Sequence, residues 1–521
     1  MKTVALSLAM SIACLITYAQ NHQQNFRGRV FDQESLTPLI GANVTIENGD
    51  PNLGTSTDID GEFSIPNVPI GRNNIVVTYL GYEPTILGNV LFTTGKEVVL
   101  EIPMTESLVE MQEIVVKANS EKSAPLNEMA MTSARSFSVE ETGRYASSLF
   151  DPARMAQNFS GVSTTGGSSD LFNEIIVRGN SPRGVLWRLE GIEIPNPNHF
   201  GGLGNSGGGI SMLSSSLLSS SDFYSGAFPA EFGNATSGVF DLNLRKGNNQ
   251  KREYSFMLGI LGTEVATEGP LSKSGNGSYL FNFRYSTLGI LQKIGLNPAG
   301  DVLPEYGDLS LNIHLPNSGI GNINIFALTG KNRAYFDVIP DSTKWEFSDD
   351  DAGFNETQTV GTLGLSHKIL LDNHRYIHTV IAASTDQSAS DEYHIDASQG
   401  YRSIKEFENK FTNTIFRLSS TFHNKIDAKN SFKIGAIASH HAFDFYARDF
   451  ENNGKYTTFL QDTGSAQQFH AFTQWKHRLN EKWTATAGVH ANYLALTKKG
   501  SIEPRVALKW QATEKQALSM A

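Results

Sequence analysis

Apolar and polar side chains alternate along much of the second half of the sequence. The alternation is clearest from Ser278 to Ser286, where aromatic residues take every second position. It recurs from Trp483 to Tyr493 and from Ile502 to Trp510. A period of two predicts β-strands with one apolar and one polar face. Apolar outer and polar inner faces are typical of transmembrane β-barrels, so residues 247–521 are predicted to be barrel strands, although a soluble sandwich alternates in the same way.

Two long polar insertions interrupt these strands. They run from Pro340 to Gln358 and from Ala447 to Gln467. Insertions of this length suit the extracellular loops of a barrel better than the short turns of a sandwich. The pattern therefore favours a barrel with long loops on one side.

The pattern is different between Phe26 and Met104. Short β-rich runs alternate there with clusters of Gly, Pro, Asn and Asp. Such spacing predicts a small antiparallel β-sandwich, which we assign to residues 20–105. Within it, Asp58, Asp60 and Glu62 alternate beside Gly61. A calcium loop would need a further ligand before the glycine and a distant glutamate, neither of which is in register, so we predict a hairpin turn at Asp60-Gly61.

The N-terminus has the features of an export signal. Lys2 precedes an apolar run from Val4 to Ile16, and Thr17 and Ala19 place small residues before a cleavage site. The run is shorter than the roughly 20 residues that a membrane-spanning helix needs. Residues 1–19 are therefore predicted to be a signal peptide. Cys14 is the only cysteine, so the exported protein would contain neither disulfides nor thiol-based sites.

The net charge and the hydropathy of the chain exclude two classes of protein, those that bind nucleic acid and those that span a membrane with helices. The formal net charge is −11, which provides no electrostatic footprint for nucleic acid. No second long apolar run follows the signal peptide. If the exported chain lies in a membrane, it must do so as a closed barrel, because lipid cannot satisfy an open sheet edge.

Four ordered motifs in the first domain resemble a known family. They are Gly28–Asp32, Pro38–Val44, Gly54–Phe63 and Tyr79–Tyr82. Together they resemble the carboxypeptidase-regulatory-like domain that precedes many transporters of the Bacteroidetes type. Despite its name, that family domain is not a peptidase, and the sequence offers no metal triad or nucleophile.

A second set of motifs lies between residues 136 and 246. Its members are a helix and turn at Asp151–Val162, a strand with Arg178-Gly179, a hairpin with Glu190-Gly191, closing strands that contain Glu231 and Gly233, and an exit at Arg245–Gly247. The set resembles the plug of TonB-dependent receptors. Glu190 stands where that family usually has Asp, which lengthens the acid without removing it. The resemblance implies an α+β plug at residues 136–246 inside a barrel of about 22 strands.

The segment 106–135 is predicted to be a linker. Within it, the residues Glu113, Ile114, Val115, Val116, Lys117 and Ala118 resemble a TonB box. Such a box pairs by strand addition with an energy-coupling protein, so it requires only a short exposed β-prone run. The same residues could equally be the last strand or tether of the first domain.

Three other features have open interpretations. The glycine-rich run Gly201–Gly209 lacks the Lys-Ser/Thr of a phosphate cradle, so it is predicted to be a mobile loop with or without a role in substrate contact. Arg178, Glu190 and Glu231 are either solvated or paired with the barrel wall. The adjacent His440 and His441 face opposite sides of a strand, which favours polar strand residues over a metal site.

The complete prediction is an all-β protein: a β-sandwich, a plug and an antiparallel transmembrane β-barrel. The resemblance implies TonB-dependent active transport of a ligand across the outer membrane, without cofactor or catalysis, with the first domain in the periplasm. The implied partners are the TonB complex, outer-membrane lipid, an unidentified ligand and, as a further candidate, a surface lipoprotein. The alternative is a surface or secreted β-rich glycan-binding or adhesion protein. About a dozen strands precede Ala521, so we expect the chain to be a fragment of a longer protein.

Overall fold

The protein was analysed as a computed structural model. It describes residues 23–47, 53–108, 125–137, 151–164, 173–214, 216–259, 262–273, 275–293, 303–316, 319–339, 341–345, 351–396, 402–450, 455–513 and 516–521. The predicted signal peptide lies outside these ranges. The chain divides into two compact units between Ser120 and Glu121, with residues 34–36 grouped with the second. No helix in the described ranges is long and apolar enough to cross a membrane.

The first unit is a β-sandwich. Its strands are β1 (Gln23–Asp32), β2 (Asn43–Ile46), β3 (Gly54–Ser56), β4 (Glu62–Pro69), β5 (Gly71–Thr78), β6 (Thr85–Phe92) and β7 (Val98–Met104). They form two sheets with the orders β4-β1-β7 and β3-β2-β5-β6. Phe26, Val30, Ile75 and Ile102 are fully buried in the core of this unit.

Two details of this unit bear on the sequence predictions. The strands β1 and β7 pair in parallel, so the prediction of a wholly antiparallel sandwich was wrong for this pair. Parallel neighbours need a crossover connection, and here the chain reaches β7 from β6 in the other sheet. The acidic turn is as predicted, because Asp58 Oδ1 accepts hydrogen bonds from the backbone N–H groups of Asp60 (3.0 Å) and Glu62 (2.8 Å).

The second unit begins with short elements that we call the plug (described residues from 125 to 246). They are β8 (Ala134–Phe137), α1 (Pro152–Ala156), β9 (Val162–Thr164), β10 (Ile175–Val177), β11 (Leu186–Leu189), β12 (Ile192–Glu193), β13 (Asn198–His199), β14 (Ile210–Ser211), β15 (Ser221–Tyr224) and β16 (Val239–Leu242). The central sheet has the order β12-β11-β16-β15-β8. Helix α1 starts where the sequence predicts it, since the Asp151 side chain accepts from Ala153 N and Pro152 takes the first turn.

The remaining strands form one antiparallel sheet, which we call the wall. They are β17 (Glu253–Leu258), β18 (Gly262–Pro270), β19 (Ser278–Ser286), β20 (Leu303–Leu315), β21 (Asn322–Phe336), β22 (Ala352–Leu370), β23 (Arg375–Asp396), β24 (Arg402–Lys425), β25 (Asn430–Phe450), β26 (Tyr456–Arg478), β27 (Trp483–Leu494), β28 (Lys499–Thr513) and β29 (Gln516–Met520). Each strand pairs with the next in sequence. A short helix, α2 (Leu288–Lys293), follows β19.

The faces of the wall strands follow the predicted alternation. In β19, Phe283 and Tyr285 are 43% and 48% exposed, whereas the adjacent Asn282 is fully buried. The outward residues are therefore the apolar ones, and the polar ones face the plug. Phe326 of the wall also belongs to the same buried apolar cluster as Phe223 of the plug, so the plug core continues into the wall.

The long insertions are shorter than the sequence predicts. Strand β22 begins at Ala352, inside the first predicted loop. Strand β25 ends at Phe450 and β26 begins at Tyr456, both inside the second. Much of both predicted loops is therefore strand. The longest strand has 24 residues, whereas about 9–11 residues suffice to cross a bilayer. These segments are polar because the strands continue beyond the apolar band. From hydropathy alone, such polar strand ends cannot be distinguished from loops.

Candidate functional site

The two Xxx-Gly motifs of the plug are tight turns with left-handed backbone. Arg178 and Gly179 have φ angles of 51° and 79°, and Glu190 and Gly191 have 53° and 84°. The first pair closes a bridge between Val177 and Asn180, and the second joins β11 to β12. Positive φ at both central residues is the requirement of the type I′ hairpin turn, which explains the glycine in each motif.

Glu190, the acidic residue of the second turn, forms its hydrogen bond within the plug. Glu190 Oε1 accepts a hydrogen bond from Leu244 N at 2.7 Å, shortly before the chain leaves for the wall. Burial raises the pKa of Glu190, and the bond from Leu244 N opposes that rise. A Cβ on Gly191 would lie 3.1 Å from His378 Cε1 of β23, so this turn approaches the wall closely. Glu190 therefore fixes the end of the plug rather than a substrate.

Glu231 links the plug to the wall. Its Oε1 lies 3.0 Å from Lys433 Nζ on β25, and its Oε2 lies 3.5 Å from Arg188 Nη1 on β11. Asn127 Nδ2 and Gln474 Nε2 also donate to Oε1, at 2.8 and 3.3 Å. Of the three charges that the sequence singled out, Glu231 is thus the centre of a buried ionic cluster that spans the plug–wall interface.

The charge state of this cluster follows from its partners. Burial alone would raise the pKa of Glu231, but the positive charges of Lys433 and Arg188 lower it to about 2. The carboxylate is therefore ionised at neutral pH. Arg188 also stacks over the ring of Phe232, with 4.7 Å from Cζ to the ring centre. The cluster is paired and solvent-poor, which is the arrangement that makes removal of one partner costly.

Polar contacts join the plug to ten of the eleven wall strands from β18 to β28, and β23 approaches the plug at His378 without a polar contact among the described residues. The wall residues that make these contacts, in strand order, are Glu264, Asn282, Asp308, Asn332, Gln358, Arg417, Lys433, Gln474, His490 and Arg505. His199 of the plug, for example, lies with Nε2 3.0 Å from Asp308 Oδ2, and both side chains are fully buried. The wall therefore curves around the plug.

The loop that carries Glu231 is held most tightly. Arg505 Nη1 on β28 donates to the carbonyl oxygens of Pro229 (2.7 Å) and Phe232 (2.8 Å). His490 Nδ1 lies 2.8 Å from the carbonyl oxygen of Ala230. A Cβ on Gly233 would lie 2.7 Å from His490 Nε2, so a glycine is needed where the two meet. This explains the position of Gly233 in the motif.

The residues just before the plug sheet are bound to it. The Asp222 carboxylate accepts hydrogen bonds from the backbone N–H groups of Leu126 and Asn127, both at 2.9 Å. Ser431 Oγ of β25 donates to Glu128 Oε2 at 2.8 Å. Burial raises the pKa of Asp222 to about 6 despite the two N–H donors. We call Leu126, Asn127 and Glu128 the 126–128 segment. The sequence analysis placed it in the linker, whereas the structure packs it on the plug.

The glycine-rich run is anchored rather than free. Gln358 Oε1 of β22 accepts from Gly201 N at 3.2 Å, and Asn196 Nδ2 donates to the Gly207 carbonyl oxygen at 2.8 Å. Asn173 Oδ1 accepts from Gly208 N at 2.8 Å. Both ends of the run are therefore anchored, and the glycines allow the two sides of the loop to approach each other. Mobility of the middle of the loop stays a prediction.

Two histidines lie against each other, and the adjacent His440 and His441 of the sequence analysis have different surroundings. His470 Nδ1 and His490 Nε2 lie 3.0 Å apart beside the loop that carries Glu231. His440 is exposed and lies against Gln467, whereas the adjacent His441 is half-buried. Within the described ranges, no group of three or more His, Cys, Asp or Glu side chains could hold a metal ion.

The sequence analysis missed Arg188, Lys433 and the 126–128 segment. Arg188 lies in the Trp187–Glu190 stretch that the motif search covered, but nothing local marks its partner 43 residues later. Lys433 is one polar residue of an alternating strand. The TonB box candidate, Glu113–Ala118, lies outside the described residues, so its geometry stays a prediction.

The comparisons with known proteins agree with this arrangement. The profile of the CarboxypepD_reg-like domain matches residues 26–116, and that of the TonB-dependent receptor plug domain matches residues 129–239. The first match reaches into the TonB box candidate. No match was found among curated proteins.

Solved structures share the fold at low sequence identity. The outer membrane transporter YddB from Escherichia coli has a TM-score of 0.53 and 11% identity, over 74% of this chain and 60% of that chain. The pyoverdine outer membrane receptor FpvA from Pseudomonas aeruginosa PAO1 has a TM-score of 0.52 and 11% identity, over 70% of this chain and 58% of that chain. A mutant of the ferric enterobactin receptor PfeA from Pseudomonas aeruginosa has a TM-score of 0.50 and 13% identity, over 75% of this chain and 61% of that chain.

The chain spans about 60% of the length of these structures. It carries a CarboxypepD_reg-like domain followed by a TonB-dependent receptor plug domain, and its second unit has the fold of the plugged barrels of outer membrane receptors.

Proposed function

We propose that the protein is a TonB-dependent active transporter of the outer membrane, in which the plug closes the barrel and moves when force is applied to the N-terminal side of the plug. The observation that carries this proposal is the set of polar contacts that joins the plug to ten of the eleven strands from β18 to β28. The apolar cluster that the plug shares with Phe326 of the wall adds to this hold and must open as well when the plug moves. Water can replace hydrogen bonds and ion pairs as they break, so polar contacts allow a plug to be held firmly and still released.

The 126–128 segment supports a direction for the force. It follows the TonB box candidate Glu113–Ala118 by only a few residues, and it is bonded to Asp222 and Glu231 of the plug. A pull on the box would reach these bonds before any other described contact of the plug. Release of Asn127 would also remove one hydrogen bond from Glu231, the residue that faces Lys433. The order of the contacts thus connects the pulled end to the ionic cluster.

The proposed organisation follows the sequence analysis. The signal peptide comprises residues 1–19, the periplasmic sandwich 20–105, the linker 106–135, the plug 136–246 and the barrel strands 247–521. The described linker residues from 125 onward are counted with the plug in the structural description above. TonB and its inner-membrane partners supply the energy, lipid surrounds the wall, and a surface lipoprotein is a further partner to test. The matched proteins are named for ferric enterobactin and pyoverdine, so ferric chelates are the first ligands to screen, ahead of cobalamin, oligosaccharides and peptides.

Two measurements separate transport from adhesion. The full-length gene product should be recovered in the outer-membrane fraction, and its gel mobility should change on heating, because a closed barrel resists detergent at room temperature. An adhesin that acts through the sandwich would show neither property. Absence of both would refute the membrane assignment.

The energy coupling is tested with Val115→Pro. Proline removes a backbone donor and fixes φ, so strand addition to TonB should fail. In a deletion strain, growth on the screened ligand should be lost with Val115→Pro and retained with Val115→Thr, while both variants reach the membrane equally. Normal growth with the proline variant would show that the box lies elsewhere.

A further inference from the structure

The plug contains a small polar cavity that the proposed transport cycle does not use. Its volume is about 210 Å³, and the described residues that line it all belong to the plug. Two of them are arginines, Arg135 and Arg178, and three are serines, Ser133, Ser160 and Ser225. The cavity therefore presents cationic and hydroxyl donors to one volume.

Neither arginine has a carboxylate partner in the part of the chain that the structure describes. Arg178 Nη2 donates to the hydroxyl oxygens of Ser133 (2.6 Å) and Ser225 (3.5 Å). Arg135 lies over the ring of Phe159, with 5.6 Å from Cζ to the ring centre. Two like charges that face one cavity repel each other, and an anion between them would turn that repulsion into attraction.

The backbone is shaped to direct Arg178 into this cavity. Its φ angle of 51° is a conformation that long side chains rarely adopt and that Asn or Asp would take more easily. A Cβ on Gly226 would lie 3.2 Å from Arg178 Nη1, and one on Gly161 would lie 3.5 Å from its Cγ. Glycine at 226 thus leaves room for the guanidinium beside the main chain, whereas a Cβ at 161 would make an ordinary van der Waals contact.

We propose that this cavity binds a tetrahedral oxyanion, either free phosphate or the phosphoryl group of a soluble molecule. Each guanidinium presents a planar fork of N–H donors that fits phosphate oxygens in pairs. The hydroxyl groups of Ser133 and Ser160 add two donors for the remaining oxygens, while Ser225 Oγ donates to the Ser133 carbonyl oxygen at 3.3 Å. Together with the guanidinium groups this is more than the two oxygens of a carboxylate require. The lining lies within the plug and includes no wall residue, which disfavours a lipid headgroup as the source. The site is independent of the transport proposal.

Inorganic phosphate is the probe for the test. Calorimetry at low ionic strength would use the full-length protein in detergent, with Arg178→Asn and Arg135→Gln as variants. Asparagine suits the positive φ at residue 178, so this change removes the charge and keeps the turn. Each variant should weaken phosphate binding about tenfold or more, as expected for the loss of a charge-assisted bond pair. Sulfate should compete with phosphate, and acetate should not.

The matched control is Arg183→Gln, since Arg183 is an exposed plug arginine outside the cavity. It should bind phosphate as the wild type does, and all variants should keep the heat-dependent gel mobility. The proposal is overturned if the wild type binds phosphate no more tightly than a variant that combines Arg178→Asn with Arg135→Gln. It is also overturned if Arg183→Gln weakens binding as much as either cavity variant, or if acetate competes as well as sulfate.

Discussion

Replacement of Glu231 by glutamine tests whether the ionic cluster holds the plug in the wall. Glutamine keeps the size of the side chain and an oxygen for Asn127 Nδ2, but it removes the negative charge between Lys433 and Arg188. The side chains of Glu231 and Lys433 are 10% and 7% exposed, so Lys433 would be left poorly screened, while Arg188 would keep the Asp241 carboxylate at 3.8 Å. Breaking such a buried pair typically costs about 3–5 kcal/mol.

The pKa supplies a second estimate of the same effect. A carboxyl whose pKa is lowered from 4.5 to about 2 is stabilised in its ionised form by roughly 3 kcal/mol. Because the pKa is lower in the inserted plug, this contribution is fully present above pH 4.5 and is lost as the pH falls from 4.5 towards 2. The two estimates agree on a cost of about 3 kcal/mol, or roughly a hundredfold in the opening equilibrium.

Native-state hydrogen exchange of the amides of β15 and β16 measures this opening. Glu231→Gln should lower their protection by about a hundredfold at pH 7 and should flatten its acid dependence. Lys433→Met alone should also lower protection, and the double variant should recover part of the loss, because it leaves fewer uncompensated charges. Purely additive losses, or a cost for Glu231→Gln below about 1 kcal/mol, would refute the view that this pair secures the plug.

Three further predictions follow from the same contacts. Asp222→Asn places a donor where the carboxylate accepts two N–H groups, so exchange at Leu126 should accelerate about tenfold or more while the wall amides are unchanged; equal rates would show that the segment is held elsewhere. Ser216→Cys with Asn282→Cys, whose native Oγ and Nδ2 atoms lie 3.0 Å apart, should be joined by a short reducible thiol crosslinker that blocks uptake until the link is reduced. Uptake by the crosslinked protein would contradict plug movement at this contact. Residues 20–105, expressed alone, should melt cooperatively as a β-domain, and an amide spectrum without dispersion would contradict the boundary.

The local parts of the fold could be predicted from the sequence because their causes are local. Alternation in β19 indicates that Phe283 faces outward and Asn282 inward, since successive side chains of a strand point to opposite faces. The glycines of Arg178-Gly179 and Glu190-Gly191 mark turns because positive φ is cheap for glycine. Asp151-Pro152 marks the start of α1 for a similarly local reason, the need to cap free N–H groups.

The tertiary structure alone decided which charges meet. Glu231 and Lys433 are separated by 202 positions, and their contact depends on the register of every strand between them. The same is true of the parallel pairing of β1 with β7 and of the 126–128 segment, whose N–H groups reach Asp222 across 95 and 96 positions. Periodicity shows that a side chain faces inward, but it contains no information on what lies opposite. That partner is set by the curvature of the sheet around the plug, which depends on the whole set of strands.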